Sequence, residues 1–101
     1  PFPFTDSKHA KRRPALVLSS QPSFNGKIGH SVLAMITSAR NSPWPLDVGI
    51  RDLAPAGLTA ESVVRMKLFT LDDRLIVRPL GYLSDADRKR VIRSLRALLE
   101  F

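Results

Sequence analysis

The chain has 101 residues, with sixteen Lys and Arg against nine Asp and Glu, a net charge of +7, a pI near 10.9 and no cysteine. That length suits one domain around a single core, and the missing cysteine excludes disulfides, thiolate zinc sites and thiol nucleophiles. The basic excess attracts polyanions, whether nucleic acid, an anionic membrane surface or an acidic protein, while the longest apolar runs are strand-sized and far below the roughly 18 residues of a membrane span.

In chain order, Pro1-Phe2-Pro3-Phe4-Thr5-Asp6 reads as the end of a strand, with neither an initiator Met nor a signal core, so the beginning is expected to be missing. Lys11-Arg12-Arg13 then sets three cations at the start of a strand predicted over residues 14–20. Pro14 restrains Arg13 to extended backbone and itself has no ladder donor. Residues 20–27 are rich in turn formers and reverse the chain, and residues 30–37 return as a second strand. Both strands are nearly continuous apolar runs, as in a sheet covered on both faces. Thr37 and Ser38 put two hydroxyls at the exit of the second strand, opposite the cations at the start of the first. That pairing suits the binding and straining of a phosphodiester and makes RNA the leading substrate.

Asn41-Ser42-Pro43-Trp44-Pro45 is predicted as a loop, presenting Trp44 either to stack on an unpaired base or to cover the barrel mouth. Alternation over residues 46–51 indicates a half-buried strand, flanked by Asp47 and Asp52, which read as local charge balance. Residues 52–59 read as a loop and 62–71 as a strand carrying Arg65 and Lys67 on one face. Asp72-Asp73 is expected to turn the chain into a hairpin with residues 74–78. Ser84 caps a helix with Asp87 in the position of a capping-box acid, and Val91, Ile92, Leu95, Leu98 and Leu99 form its apolar stripe. About five short strands closed by a C-terminal α-helix predict a small, mostly-β barrel, with residues 1–101 as one domain.

In this order and at these spacings, several segments resemble the MazF/PemK toxins of type II toxin-antitoxin systems over nearly the whole chain. They are Pro3-Phe4-Thr5-Asp6, Lys11 to Ser19, Ile36-Thr37-Ser38, Gly57-Leu58 with Ser62-Val63-Val64-Arg65, and Phe69-Thr70-Leu71-Asp72 leading to Leu80-Gly81. The resemblance implies an SH3-like barrel, a homodimer, and metal-independent cleavage of single-stranded RNA to a 2′,3′-cyclic phosphate and a 5′-hydroxyl. It also implies an antitoxin whose acidic tail competes with RNA, and a cytoplasmic location. On this resemblance the catalytic roles fall on Arg13 and Thr37, with Arg65, which follows a Val-Val pair, as a further catalytic candidate.

Lys11, Arg12, Ser38, Trp44, Lys67 and His9 are the candidate RNA-binding residues, with His9 also a candidate proton carrier. Attack by a ribose 2′-hydroxyl on its own phosphate needs a base, an acid for the leaving 5′-oxygen and donors for the added charge on phosphorus. A guanidinium naturally serves the last of these. Where some relatives carry a carboxylate two residues after the second arginine, this chain has Lys67, and residues 7–10 replace their Glu-Gln pair. His9 and His30, with no neighbouring carboxylate pair, make a poor metal site, and no metal or cofactor is expected. Two other readings stay open: a non-enzymatic toxin, since gyrase-poisoning toxins resemble this barrel too, and a basic RNA-binding barrel that leaves RNA intact.

Overall fold

Long β-branched and apolar stretches on either side of residue 50 pair with each other to make the centre of the molecule. The computed structural model describes residues 2–6 and 9–100, with side chains over residues 12–100. Strands β1 (Phe2–Asp6) and β2 (His9–Arg13) form an antiparallel pair, with Phe2 opposite Arg13 and Asp6 opposite His9. Strands β3 (Ala15–Val17), β4 (His30–Ser38), β5 (Val48–Gly49) and β6 (Ser62–Asp72) form a second antiparallel sheet in the order β3-β4-β6-β5. A short helix α1 (Gly26–Ile28) precedes β4, and helix α2 (Asp85–Leu99) closes the fold.

The β4–β6 ladder runs from His30 opposite Asp72 to Ser38 opposite Ser62, and it breaks between Ala34, opposite Leu68, and Met35, opposite Arg65. The unmatched Met66 and Lys67 form a bulge on β6, which bends that strand and curls the sheet. Ala34, Ile36, Val64 and Met66 meet Val48, Ile50, Ala56 and Val91 in one buried cluster. Helix α2 thus contributes Val91 to the same core that β4, β5 and β6 build.

The helix starts as its sequence predicts, with Ser84 Oγ accepting the Asp87 N–H at 3.2 Å. The expected capping-box use of Asp87 is replaced by something stronger. Its fully buried carboxylate accepts the backbone N–H groups of Arg51 (3.2 Å) and Asp52 (3.0 Å) and pairs with Arg90. One carboxylate therefore ties the helix to the turn that follows β5.

Several expected elements differ from those observed. The basic run lies inside β2, paired with β1, and the strand after Pro14 covers only Ala15–Val17. Beyond it, Leu18 and Ser19 both donate to the Val32 carbonyl, so the regular ladder ends there. Residues 20–28 reverse the chain as a wide helical turn capped by Ser20, followed by α1. The strand expected over 46–51 shrinks to Val48–Gly49, because a turn at Pro45 and Leu46 precedes it.

The Asp72-Asp73 hairpin does not form. Asp72 accepts the Arg74 N–H at 2.9 Å and caps a short 3-10 turn (Asp73–Leu75), after which the chain runs irregularly toward Ser84. Among the described residues the ladders form two sheets rather than one continuous hydrogen-bonded ring.

Two glycines mark where loops cross. Gly57 (φ 70°) lies against the Leu80 carbonyl and Gly81 (φ 159°) against that of Pro55, and a Cβ at either would fall 2.2 Å from the carbonyl oxygen. The Tyr82 N–H donates to Pro55 O at 2.9 Å in the same crossing, so the approach is held by a backbone bond.

Candidate functional site

Side chains alternate along a strand, so Met35 and Thr37 on β4, with their partners Arg65 and Val63 on β6, share one face of the sheet. Ile36 and Val64 point the other way, into the core. Strand β3 opens with Ala15 opposite Met35. Arg13 stands two residues before Ala15, at the end of β2, and Thr37 two residues after Met35, past the last β3–β4 pair.

Arg12 and Arg13 are exposed at the end of β2, and Thr37 is half-buried with Ser38 exposed beside it. The expectations for His9 and Lys11 fall on side chains outside the described residues.

Sequence reasoning did not single out Asn41, yet its Nδ2 donates to Thr37 Oγ1 at 2.6 Å. A hydroxyl oxygen that accepts this bond directs its own hydrogen elsewhere, so Thr37 keeps a donor available on the exposed side. The signal was the polar turn directly after the strand. Ser38 Oγ accepts the Arg40 N–H at 3.2 Å and shapes that turn.

Arg65 is 7% exposed, and its Nε and Nη2 hold the loop between β4 and β5. Nε donates to Asp47 Oδ1 (3.2 Å), while Nη2 donates to Asp47 Oδ2 (3.0 Å) and to the Ser42 carbonyl (2.8 Å). The guanidinium carbon also lies 5.1 Å from the centroid of the Trp44 ring. Asp47 in turn accepts the Trp44 N–H at 2.9 Å. Burial alone would raise the Asp47 carboxyl pKa, but the hydrogen bonds from Arg65 and the Trp44 amide, with the Arg65 charge, hold it below the ordinary carboxylate range. Asp47 therefore balances charge with one particular partner, eighteen residues away in sequence.

Trp44, Pro45, Leu46 and Asp47 form a turn closed by the Asp47 N–H to the Trp44 carbonyl (3.3 Å), with Leu46 at φ 68°. A type II turn favours proline at its second position and demands positive φ at its third, where leucine is a strained choice. Trp44 stays 44% exposed, and Lys67, exposed on the bulge, brings Nζ to 5.9 Å from its ring centroid. The structure thus gathers Arg65, Lys67 and Trp44 at one place. Among the described residues no group of three or more His, Cys, Asp or Glu is placed to hold a metal ion. No described helix is long and apolar enough to cross a membrane.

The family model for the PemK-like, MazF-like toxin of type II toxin-antitoxin systems matches residues 1–99. Among solved structures, a MazE-MazF complex from Deinococcus radiodurans superposes with a TM-score of 0.79 at 29% identity, covering 99% of this chain and 90% of that one. The Mycobacterium tuberculosis toxin MazF-mt6 superposes at 0.75 with 20% identity, over 100% of this chain and 97% of that one, a likeness of fold. No curated protein sequence matches. A mostly-β fold with a curled antiparallel sheet and a C-terminal helix, matched by a family model over residues 1–99, identifies the chain as a member of the PemK-like, MazF-like toxin family of type II toxin-antitoxin systems.

Proposed function

We propose that this chain is the toxin of such a system and acts as a metal-independent endoribonuclease on single-stranded RNA. The observation that supports the reading is the β3–β4 register: Ala15 lies opposite Met35, with exposed Arg13 two residues before the one and half-buried Thr37 two residues after the other. In the reaction, a ribose 2′-oxygen attacks the adjacent phosphorus while the bond to the 5′-oxygen breaks. The proton lost by the 2′-hydroxyl is balanced by one gained at the leaving oxygen, giving a 2′,3′-cyclic phosphate and a 5′-hydroxyl.

Arg13 donates to the non-bridging phosphate oxygens as charge builds, and the Thr37 hydroxyl, its oxygen already held by Asn41, adds a further donor. Ser38 on β4, Arg12 on β2 and Lys67 on β6 are exposed and add polar and cationic groups for the RNA backbone. Arg65 fits a positioning role: it is buried, and its Nε and Nη2 bind Asp47 and Ser42. The fold that accompanies this reading is the SH3-like barrel, working as a homodimer. The Deinococcus radiodurans relative was solved as MazE-MazF, and by analogy an acidic antitoxin segment would cover the same basic surface here.

The test is incubation of the purified protein with mixed-sequence single-stranded RNA in EDTA, with mapping of the cut ends. Cyclic phosphate and 5′-hydroxyl ends are expected. Tight, salt-sensitive binding that leaves the RNA whole would instead favour the RNA-binding barrel, and no RNA binding at all would favour a toxin that grips a protein.

A further inference from the structure

Resting on the RNA reading above, we infer that Trp44 is a stacking platform for one unpaired nucleobase, with Arg65 and Asp47 as the positioning residues that fix its ring. Three contacts fix Trp44, two at its backbone and one at its ring. Its backbone N–H is bound by the Asp47 carboxylate, its turn is closed by the Asp47 N–H, and the Arg65 guanidinium lies within cation–π distance of the ring. Arg65 cannot swing away without abandoning both Asp47 and the Ser42 carbonyl. A mobile surface tryptophan would lose conformational freedom on stacking, whereas this one has already lost it in building the loop.

The exposed part of the ring faces a setting that suits a nucleotide better than an apolar partner. Lys67 stands beside it, in none of the ion pairs that engage Arg65, Arg74 and Arg90 among the described residues, and offers a cation to the phosphate attached to a stacked base. The loop also begins directly after Thr37 and Ser38, so a strand of RNA leaving the reaction centre along this face meets Trp44 within a few residues of chain. Leu46 at φ 68° is backbone strain spent on this presentation. Stacking is tolerant of base identity, so Trp44 should add grip and register rather than a strict sequence preference.

Trp44 is the chain's single tryptophan, which makes its own fluorescence the readout. The probe is a mixed-sequence 2′-O-methyl oligoribonucleotide, which has no free 2′-hydroxyl and cannot be cut, compared with an abasic oligonucleotide of the same length. The full oligonucleotide should quench the Trp44 emission, while the abasic one binds with little quenching. Trp44→Ala should weaken binding about tenfold and Trp44→Phe by much less. Asp47→Asn should reduce the quench, and far-UV circular dichroism of the same sample separates a displaced ring from unfolding.

Equal quenching by the abasic probe, or unchanged affinity in Trp44→Ala, overturns the inference. If RNA is cut normally while Trp44 emission is unmoved, stacking is wrong and the nuclease reading stands. If neither oligonucleotide binds at low salt, both fall together.

Discussion

Arg65 lies against Trp44 and grips Asp47 at the same time, so one guanidinium connects the bulged strand β6 to the loop that follows β4. The pair is largely shielded, with side chains 8% and 13% exposed. Removing one partner leaves the other's charge buried without compensation. Arg65→Ala is therefore expected to cost about 3 kcal/mol of stability, measured by urea denaturation. A loss within a few tenths of a kcal/mol would show that the loop is held by other contacts.

Asp87 carries a comparable load on the far side of β5, at the turn that follows it. Burial raises its carboxyl pKa, but the N–H groups of Asp52 and Arg51 and the Arg90 guanidinium more than offset this and leave it lowered. Asp87→Ala should destabilise by roughly 3 kcal/mol, since two backbone donors and one cation lose their acceptor together. Thermal and urea unfolding of the variant check this directly.

The same two carboxylates set an acid limb. Their folded pKa values lie below the ordinary range, so their contribution is complete above the unfolded value of about 4 and declines as pH falls through the folded values. Urea midpoints should vary little on account of these groups above about pH 5 and drop steeply below about pH 4. In Asp47→Asn and Asp87→Asn the drop should be shallower, although both start from lower stability.

Where the loops cross, Gly57→Ala should be costly on two counts: a positive φ and a Cβ that would meet the Leu80 carbonyl at 2.2 Å. The expected loss is about 2 kcal/mol or more, larger than the roughly 1 kcal/mol expected for Leu46→Val, where only backbone strain grows. Reversal of that order in denaturation measurements would mean that the crossing can open without consequence.

Much of this was legible in the residues. The helix declared itself through Ser84 and its apolar stripe because both signals are local, and β4 and β6 through runs long enough to outlast any turn. What stayed hidden depended on partners distant in sequence or on side chains competing with the backbone. Asp72 and Asp73 look like a hairpin turn, but Asp72 binds the Arg74 N–H and Asp73 accepts from Ser31 Oγ at 2.5 Å, which draws the chain into a 3-10 turn instead. Asp87 resembles a capping acid locally and serves the Arg51 and Asp52 amides, thirty-five residues or so away. At the site, the resemblance pointed to Arg65, while its engagement by Asp47 and Ser42 became visible only once the loop was folded onto β6.

Electrostatics should govern RNA affinity. With a net charge of +7, binding of a non-cleavable RNA analogue should weaken linearly with log salt, and Lys67→Ala should reduce the slope by about 0.7 if it holds one phosphate of a single strand. A slope unchanged in that variant would place Lys67 off the RNA path.

The measurement that reaches the centre of the account is single-turnover cleavage of a single-stranded RNA by wild type, Arg13→Ala, Thr37→Ala and the double variant, all in EDTA. Two groups acting on one phosphate should not be additive: each single substitution should lower the rate by orders of magnitude, and the double should be little worse than the poorer single. Wild-type rates in either single variant, or penalties that simply multiply, would contradict a shared site at Arg13 and Thr37.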